Sequence, residues 1–250
     1  TGTVITQAIQ VYGLGKVSAV TFSPDGHHIL MGAAGNAYLY NADTYERERV
    51  FTGHTAEVWS VAFSPDGTKV LTGSGDNAAK LWDGATGAVL QTYVGDRKSV
   101  NSVAFSPDGT KVLTGSDDGE AKLWDAATGT ILQTFHNDMG KVTSVAFSPD
   151  GTKILAVGSY AKLWDAATGA LLQTFSSVDF GGEAFVAFSP DGTKVLTGSW
   201  DATAKLWDAA TGTVLQTFSG HTNWVTSVAF SPGAAKGLRG SEDAKAKLWD

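Results

Sequence analysis

The feature that most constrains the fold of this chain is a unit of about 42 residues that recurs six times. A Phe-Ser-Pro tripeptide places its serine at 23, 64, 106, 148, 189 and 231, so successive units are 41 or 42 residues apart. The nonapeptide A-K-L-W-D-A-A-T-G occurs unchanged at 121–129, 161–169 and 204–212, and with one substitution at 79–87. Repeats of this length indicate a fold built from similar supersecondary units. We therefore predict that residues 1–250 form one domain.

Each unit predicts four short β-strands rather than helices. In residues 98–135, four apolar or β-branched runs are separated by the turn sequences S-P-D-G, D-D-G and A-A-T-G. Four-stranded antiparallel units of about 40–45 residues are typical of β-propellers, in which neighbouring blades cover one another's faces. The predicted fold is all-β, a β-propeller of six four-stranded antiparallel blades.

The two ends of the chain suggest how the ring closes. The segment I-Q-V-Y (9–12) parallels L-Q-T-F (215–218), which is the fourth strand of its unit. The sixth unit contains only its first three strands, so we predict that the N-terminal strand completes the last blade and removes an exposed sheet edge. A longer parent chain with seven blades, one of them missing from this sequence, stays open as an alternative.

Two short motifs of this chain resemble the signature of the WD-repeat family. The first is Leu-Trp-Asp, which occurs at 81–83, 123–125, 163–165, 206–208 and 248–250. The second is Gly-His, at 53–54 and 220–221. The resemblance covers essentially the whole chain, and the near identity of the units is similar to that of bacterial WD-repeat proteins. It implies a propeller that works as a scaffold or sensor for protein–protein interaction and has no enzymatic activity.

The resemblance also implies a buried tetrad in each blade, in which a His, a Ser or Thr, an Asp and the Trp are joined by hydrogen bonds. A buried indole N–H needs an acceptor, and a network of this kind satisfies every polar group in it. The structural residues predicted in this way are His54, Thr72, Asp76, Trp82, Thr114, Asp118, Trp124, Thr197, Asp201, Trp207, His221, Asp243 and Trp249.

Several units depart from the tetrad pattern. Asp96 and Asp179 stand in the place of the His in the third and fifth units, and Arg239 replaces the Thr of the sixth. The fourth unit keeps only the Trp of the tetrad, Trp164. Asn137 stands in its His place and Ala156 in its Thr place. The places of the first unit are held by Leu14, Met31, Tyr40 and Asn41. A complete tetrad is therefore expected only in the second unit.

Two patterns could indicate chemistry but are better explained by structure. His54, Thr72 and Asp76 have the side chains of a hydrolase triad, yet they recur together with the Trp repeat, so we predict no catalytic residue. The aspartates of the S-P-D-G turns lack the spacing of a calcium loop and are interpreted as turn residues. They are Asp66, Asp108, Asp150 and Asp191. No histidine stands in a metal-ligand spacing, and neither a metal nor a cofactor is predicted.

Composition narrows the class of partner. The formal net charge of −7 argues against a basic surface for nucleic acid or anionic membranes. The absence of cysteine excludes thiolate zinc sites and cysteine nucleophiles. The first ten residues lack the features of a secretion signal, and no apolar run reaches the roughly 20 residues of a membrane span. We expect a cytoplasmic, monomeric propeller, alone or within a larger chain or complex, whose partner is a protein or peptide.

The partner-binding residues are predicted from the resemblance. In WD-repeat proteins, partners commonly contact the top face, at positions six and four residues before the Phe of each A-F-S motif and just before the tetrad Asp. The corresponding residues here are Lys16, Glu57, Trp59, Asn101, Asp117, Lys141, Trp200, Trp224 and Glu242. Further positions of the same kind are Ser18, Gly75, Ser99, Thr143, Gly182, Ala184 and Thr226.

Three of the eight tryptophans fall among these top-face positions, where large aromatic side chains are typical of interface anchors. Packing of each ring against a neighbouring loop is the structural alternative. Two further functional alternatives stay open. The chain could be a lectin-like propeller that binds a small ligand, or an engineered, consensus-like repeat protein with no dedicated ligand.

Overall fold

The computed structural model describes residues 14–136, 140–176, 185–231 and 237–249. Its regular structure consists of 23 β-strands in six antiparallel sheets, and the described residues contain no helix. It follows that these ranges hold no helix of the length and apolarity needed to cross a membrane. The prediction of an all-β propeller of six blades is confirmed.

Each blade takes consecutive strands in the order of the chain, with the first strand innermost. Blade 1 contains β1 (Val17–Phe22), β2 (His28–Ala33), β3 (Asn36–Asn41) and β4 (Arg47–Thr52). Blade 2 contains β5 (Val58–Phe63), β6 (Lys69–Ser74), β7 (Ala78–Asp83) and β8 (Val89–Val94). Blade 3 contains β9 (Val100–Phe105), β10 (Lys111–Ser116), β11 (Glu120–Asp125) and β12 (Ile131–His136).

The remaining blades follow the same plan. Blade 4 contains β13 (Ser144–Phe147), β14 (Lys153–Val157), β15 (Ala161–Asp165) and β16 (Leu171–Phe175). Blade 5 contains β17 (Phe185–Phe188), β18 (Lys194–Gly198), β19 (Ala204–Asp208) and β20 (Val214–Phe218). Blade 6 contains β21 (Val225–Phe230), β22 (Gly237–Ser241) and β23 (Lys245–Trp249). The fourth strand predicted for it, residues 9–12, lies outside the described residues.

The core lies between the blades rather than within them. At the boundary of blades 2 and 3, Leu71, Leu81 and Tyr93 pack against Val103 and Trp124 of the next sheet. Burial of each such side chain contributes about 1.5–3 kcal/mol, so a single sheet is not stable without its neighbours. The strands therefore present apolar residues on both faces, which explains why the alternation of polar and apolar residues along them is weak.

A glycine in the second strand of most blades allows the sheets to approach closely. A Cβ on Gly73 would lie 2.8 Å from Cγ1 of Val103 and 2.9 Å from Cγ1 of Val100, both in the next blade. Glycine at this position therefore lets the inner strand of blade 3 pack directly on the backbone of β6.

The S-P-D-G segments form the turns between the first and second strands, and their aspartates are engaged within the turn. The Ser64 hydroxyl donates to Asp66 Oδ1 at 2.5 Å, and the Thr68 N–H donates to the same oxygen at 3.0 Å. The Ser64 bond is the main reason that the pKa of Asp66 falls to about 2. Asp108, Asp150 and Asp191 repeat this arrangement, also with pKa values of about 2.

Candidate functional site

The tetrad of blade 2 forms one continuous chain of hydrogen bonds. Trp82 Nε1 donates to Thr72 Oγ1 at 2.9 Å, and Thr72 Oγ1 lies 2.7 Å from His54 Nε2. His54 Nδ1 lies 2.8 Å from Asp76 Oδ2. Because an ionised carboxylate only accepts, Nδ1 carries the proton and Nε2 accepts from the Thr72 hydroxyl. The chain ties β6 and β7 to the loop that leads into β5.

The electrostatics of this tetrad favour a neutral imidazole. Burial lowers the pKa of His54 below its ordinary value, although the hydrogen bond to Asp76 opposes the shift. Burial alone would raise the pKa of Asp76, but the Thr55 N–H and His54 hold it below its usual range. Thr72 is fully buried and its hydroxyl is already bonded to both rings. This hydroxyl is therefore not placed to attack a substrate.

Blade 3 replaces the histidine with a buried ion cluster that the sequence did not suggest. Lys122 Nζ lies 2.8 Å from Asp96 Oδ1, 2.7 Å from Glu120 Oε2 and 3.3 Å from Asp118 Oδ2. Only 5% of the Lys122 side chain is exposed. Trp124 Nε1 still donates to Thr114 Oγ1 at 3.0 Å, and that hydroxyl donates to Asp96 Oδ2 at 3.1 Å. Lys122 thus supplies the positive charge that a buried Asp in the His place requires.

The pKa values in blade 3 follow from this cluster. Burial raises the pKa of Asp96 above its ordinary value, against the opposing effect of Lys122. Burial alone would lower the pKa of Lys122, but the hydrogen bonds to Asp96 and Glu120 raise it. Burial alone would likewise raise the pKa of Asp118, and the Arg97 N–H is the first of several partners that hold it low.

The other blades retain only parts of the tetrad. In blade 5, Trp207 Nε1 donates to Thr197 Oγ1 at 2.9 Å. Lys205 Nζ lies 3.6 Å from the Asp201 carboxylate. Asp179, which stands in the His place, is outside the described residues. In blade 4, Trp164 is buried beside Phe135 of blade 3, and Ala156 offers it no hydroxyl.

Blades 1 and 6 differ most from the complete network. Leu14, Met31 and Tyr40 pack together as an apolar cluster of blade 1, and Asn41 Oδ1 accepts from the Asp43 and Thr44 N–H groups in a turn. In blade 6, His221 Nδ1 lies 2.9 Å from Asp243 Oδ2. Arg239 is buried and donates from Nη1 to the Phe218 carbonyl at 2.8 Å. The Trp249 side chain lies outside the described part of the chain.

At the top of the propeller, side chains from all six blades converge on one open cavity of about 670 Å³. The lining consists of Lys16, Val17, Ser18, Trp59, Ser99, Asn101, Asp117, Lys141, Thr143, Phe185, Thr226 and Glu242. Ten of these twelve are positions that the sequence assigned to the top face. Glu57, Gly75, Trp200 and Trp224 are not part of the lining, and Gly182 and Ala184 lie outside the described residues.

Contacts between adjacent blades order this top face. Asp117 lies 2.9 Å from Lys141 Nζ of the next blade and accepts from Asn101 Nδ2 at 2.6 Å. The Ser18 hydroxyl donates to Glu57 at 3.0 Å across blades 1 and 2. Lys16 Nζ lies 5.9 Å from the ring centroid of Trp59. The cavity wall is therefore partly fixed before any partner arrives.

Trp200 and Trp224 form an aromatic pair across blades 5 and 6. Their ring centroids are 4.1 Å apart and their planes differ by 7°. Trp224 remains 38% exposed and Trp59 36% exposed. Stacking therefore covers one face of Trp200 and one face of Trp224. Trp224 is thus packed against a neighbouring loop and still partly accessible to a partner.

Comparison with known protein families agrees with this geometry. A family model described as WD domain, G-beta repeat matches residues 45–83, 87–125, 129–165, 184–208 and 212–250, which together cover more than half of the chain. No curated protein matches the sequence. The matches begin after most of blade 1, where Leu14, Met31 and Tyr40 stand in place of the tetrad.

Proposed function

Because the chain belongs to the WD-repeat family of β-propellers, we propose that it is a non-enzymatic interaction module whose top face binds a protein or peptide. The family commonly mediates interactions of this kind. The proposed module is one domain, in which each blade depends on the next for its core. Its partner-binding residues are those that line or border the cavity at the top.

The single observation that supports this proposal most is the convergence of non-repeating side chains on one cavity. The frame of the blades is nearly identical from unit to unit, whereas the lining carries Lys16, Trp59, Asp117, Lys141 and Glu242 at equivalent or adjacent places. Because the fold alone does not determine function, we expect the residues that vary on this constant scaffold to determine which partner binds.

The charges of the lining indicate the kind of segment that fits. Asp117 and Lys141 neutralise each other at 2.9 Å, and Asn101 holds the same carboxylate. Lys16 and Glu242 also line the cavity, with opposite charge. A peptide that presents an aromatic or aliphatic side chain to Trp59, flanked by one acidic and one basic residue, complements this surface.

Selection from a displayed library of random peptides tests the proposal without the need for a purified natural partner. Peptides selected on the protein are expected to lose about tenfold or more in affinity for Trp59→Ala, as measured by isothermal titration. Leu172→Ala is the matched control, because Leu172 is 47% exposed on the outer strand β16, away from the top face. Selected peptides that bind Trp59→Ala and Trp224→Ala as well as the parent protein would contradict the top-face proposal.

Binding of a small ligand is the second candidate function, because the cavity volume of about 670 Å³ lies within the range of small-molecule sites. Trp59 could then stack on an apolar ring face. A glycan array distinguishes this function from peptide binding, since a lectin-like propeller gives specific sugar signals that Trp59→Ala abolishes. An array without signal rejects it.

A further inference from the structure

A second cavity lies between blades 1 and 2, on the face opposite the top of the propeller. Its volume of about 360 Å³ lies within the range of small-molecule sites. Its walls are formed by the start of β4 and by the turns that follow β5 and β7. Leu39 and Phe63 give it apolar surface, and Glu48, Arg49 and Asp83 give it charge. The cavity therefore combines an apolar floor with charged groups of both signs.

The cavity is found where blade 2 departs from the repeat by the loss of one methyl group. Gly84 stands where the next three blades have a buried alanine, and these residues are Ala126, Ala166 and Ala209. Each of the three alanines belongs to an apolar cluster between blades, together with the leucine equivalent to Leu39. Because Gly84 has no methyl group to pack in this way, it and Leu39 line an open cavity instead.

The outer strand of blade 1 departs from the repeat at the adjoining places. Glu48 and Arg49 stand where the fourth strands of blades 2, 3 and 4 have Leu and Gln. At the next boundary, the Gln91 amide lies over the turn of the following blade and donates to the Ala127 carbonyl at 3.4 Å. Arg49 takes the same course, donates from Nη1 to the Thr86 carbonyl at 3.2 Å, and brings a positive charge to the cavity wall.

The Arg49 guanidinium is suited to bind an anion. The described residues place no carboxylate within ion-pair distance of it, although Asp83 is near enough to feel its charge. Its Nε–H is buried and donates to no group in the described part of the chain. A buried donor without an acceptor is costly and is rare in folded proteins. Since the planar guanidinium binds carboxylates through parallel N–H···O bonds, a carboxylate is the group that best complements this wall.

Two carboxylates of the same cavity are suited to bind an ammonium group. Glu48 Oε2 lies 3.3 Å from His28 Nε2, and Glu48 Oε1 accepts from Asn41 Nδ2 at 3.1 Å, so the side chain is held in place. The Thr86 hydroxyl and N–H each donate to Asp83 Oδ1 at 2.7 Å. These bonds lower the pKa of Asp83 and keep it ionised. An ammonium group has three N–H donors and needs acceptors of this kind.

We propose that the cavity between blades 1 and 2 binds a free amino acid with an apolar side chain. Arg49 binds its carboxylate, and Glu48 and Asp83 bind its ammonium group. Leu39 and Phe63 contact its side chain. A zwitterion matches a wall that carries both signs of charge, whereas a simple anion or cation would meet a like charge there. The site lies on the face opposite the top cavity, so this inference goes beyond the proposed function and does not depend on it.

Isothermal titration with the apolar L-amino acids, leucine and phenylalanine first, tests the proposal. One saturable site per chain is expected, and Arg49→Gln and Gly84→Ala are each expected to weaken binding about tenfold or more. Both substitutions introduce the residue that other units carry at the same place, so near-unchanged melting temperatures are expected. If no apolar amino acid binds at concentrations up to about 10 mM, the proposal is overturned.

Two analogues of the amino acid that binds test the two charged contacts separately. Its amide has no free carboxylate for Arg49, and its deaminated acid has no ammonium group for Glu48 and Asp83. Each analogue is expected to bind about tenfold or more weakly than the amino acid itself. An analogue that binds as tightly as the amino acid would overturn the assignment of a zwitterion to this cavity.

Two further variants locate the site. Gln91→Ala is the matched control, because Gln91 occupies the place of Arg49 at the boundary of blades 2 and 3. Trp59→Ala alters the top cavity instead. Both variants are expected to bind the amino acid as tightly as the parent protein. Binding that is lost in Trp59→Ala and kept in Arg49→Gln would overturn the proposal, while the peptide selection at the top face stays a separate test of the proposed function.

Discussion

Lys122 Nζ lies 2.8 Å from Asp96 Oδ1, and these two side chains replace the histidine of the tetrad in blade 3. Asp96 stands where His54 stands in blade 2, and the carboxylate accepts from the same threonine position, Thr114, at 3.1 Å. A carboxylate at this depth requires a cation, because burial of an unpaired charge costs several kcal/mol. Lys122, on the third strand of blade 3, supplies this cation. The His-containing network of blade 2 and the Asp–Lys network of blade 3 therefore hold equivalent turns in the same molecule.

Replacement of Lys122 by Met is expected to lower the free energy of unfolding by about 3–5 kcal/mol, because it leaves buried carboxylates without their cation. Lys80→Met is the matched control. Lys80 occupies the same place in blade 2, where its amine bonds to the Thr92 hydroxyl at 3.2 Å. Urea unfolding of the two variants provides the measurement. Equal losses in both would show that the cluster in blade 3 has no special role.

The contrast between these lysines shows where prediction from sequence stops. The 42-residue period identified all six blades, and the resemblance to WD-repeat proteins predicted the tetrad of His54, Thr72, Asp76 and Trp82 in blade 2. Lys80 and Lys122 lie in the same A-K-L-W-D motif, and the local difference is Glu120, which stands where blade 2 has Ala78. Because Glu and Lys are mostly exposed residues, this difference alone does not predict a buried ion cluster. The third acidic partner, Asp96, is 26 positions away from Lys122. An acidic residue in a buried His place was the available signal, since a carboxylate there requires a cation nearby.

Thr72→Val is expected to lower the free energy of unfolding by about 2–4 kcal/mol, since it leaves the Trp82 and His54 ring nitrogens unpaired in a buried site. Both nitrogens bond to Thr72 Oγ1, at 2.9 and 2.7 Å. Thr72→Ser is the control, because it keeps the hydroxyl and removes one methyl group at a cost of about 1 kcal/mol. Chemical denaturation measures both. A Val variant as stable as the Ser variant would contradict a structural role for these hydrogen bonds.

The tetrad of blade 2 is also expected to make stability depend on pH. Burial lowers the pKa of His54 below 6.5, so the unfolded chain binds more protons than the folded protein in the interval between the two values. The contribution of His54 is therefore complete above about pH 6.5 and is lost as the pH falls through the lower folded pKa.

Unfolding in urea at several pH values between about 5 and 7.5 measures this dependence. The parent protein is expected to lose stability toward the acidic end, and His54→Asn is expected to lose less over the same interval. The comparison separates His54 from the carboxylates, which remain in both proteins. Parallel curves for the two proteins would show that His54 does not titrate differently on folding.

The stack of Trp200 on Trp224 is expected to couple blades 5 and 6 at the top face. Rings with centroids 4.1 Å apart and planes 7° apart contribute about 0.5–1.5 kcal/mol beyond the area they bury. A double-mutant cycle with Trp200→Ala and Trp224→Ala measures this coupling through the free energy of unfolding. The control cycle pairs Trp224→Ala with Trp59→Ala, since Trp59 belongs to blade 2 and interacts with Lys16 instead. Coupling of equal size in both cycles would mean that the stack adds nothing specific. Coupling confined to the stacked pair would leave the exposed faces of both rings, and the exposed part of Trp59, as the aromatic surface available to a partner.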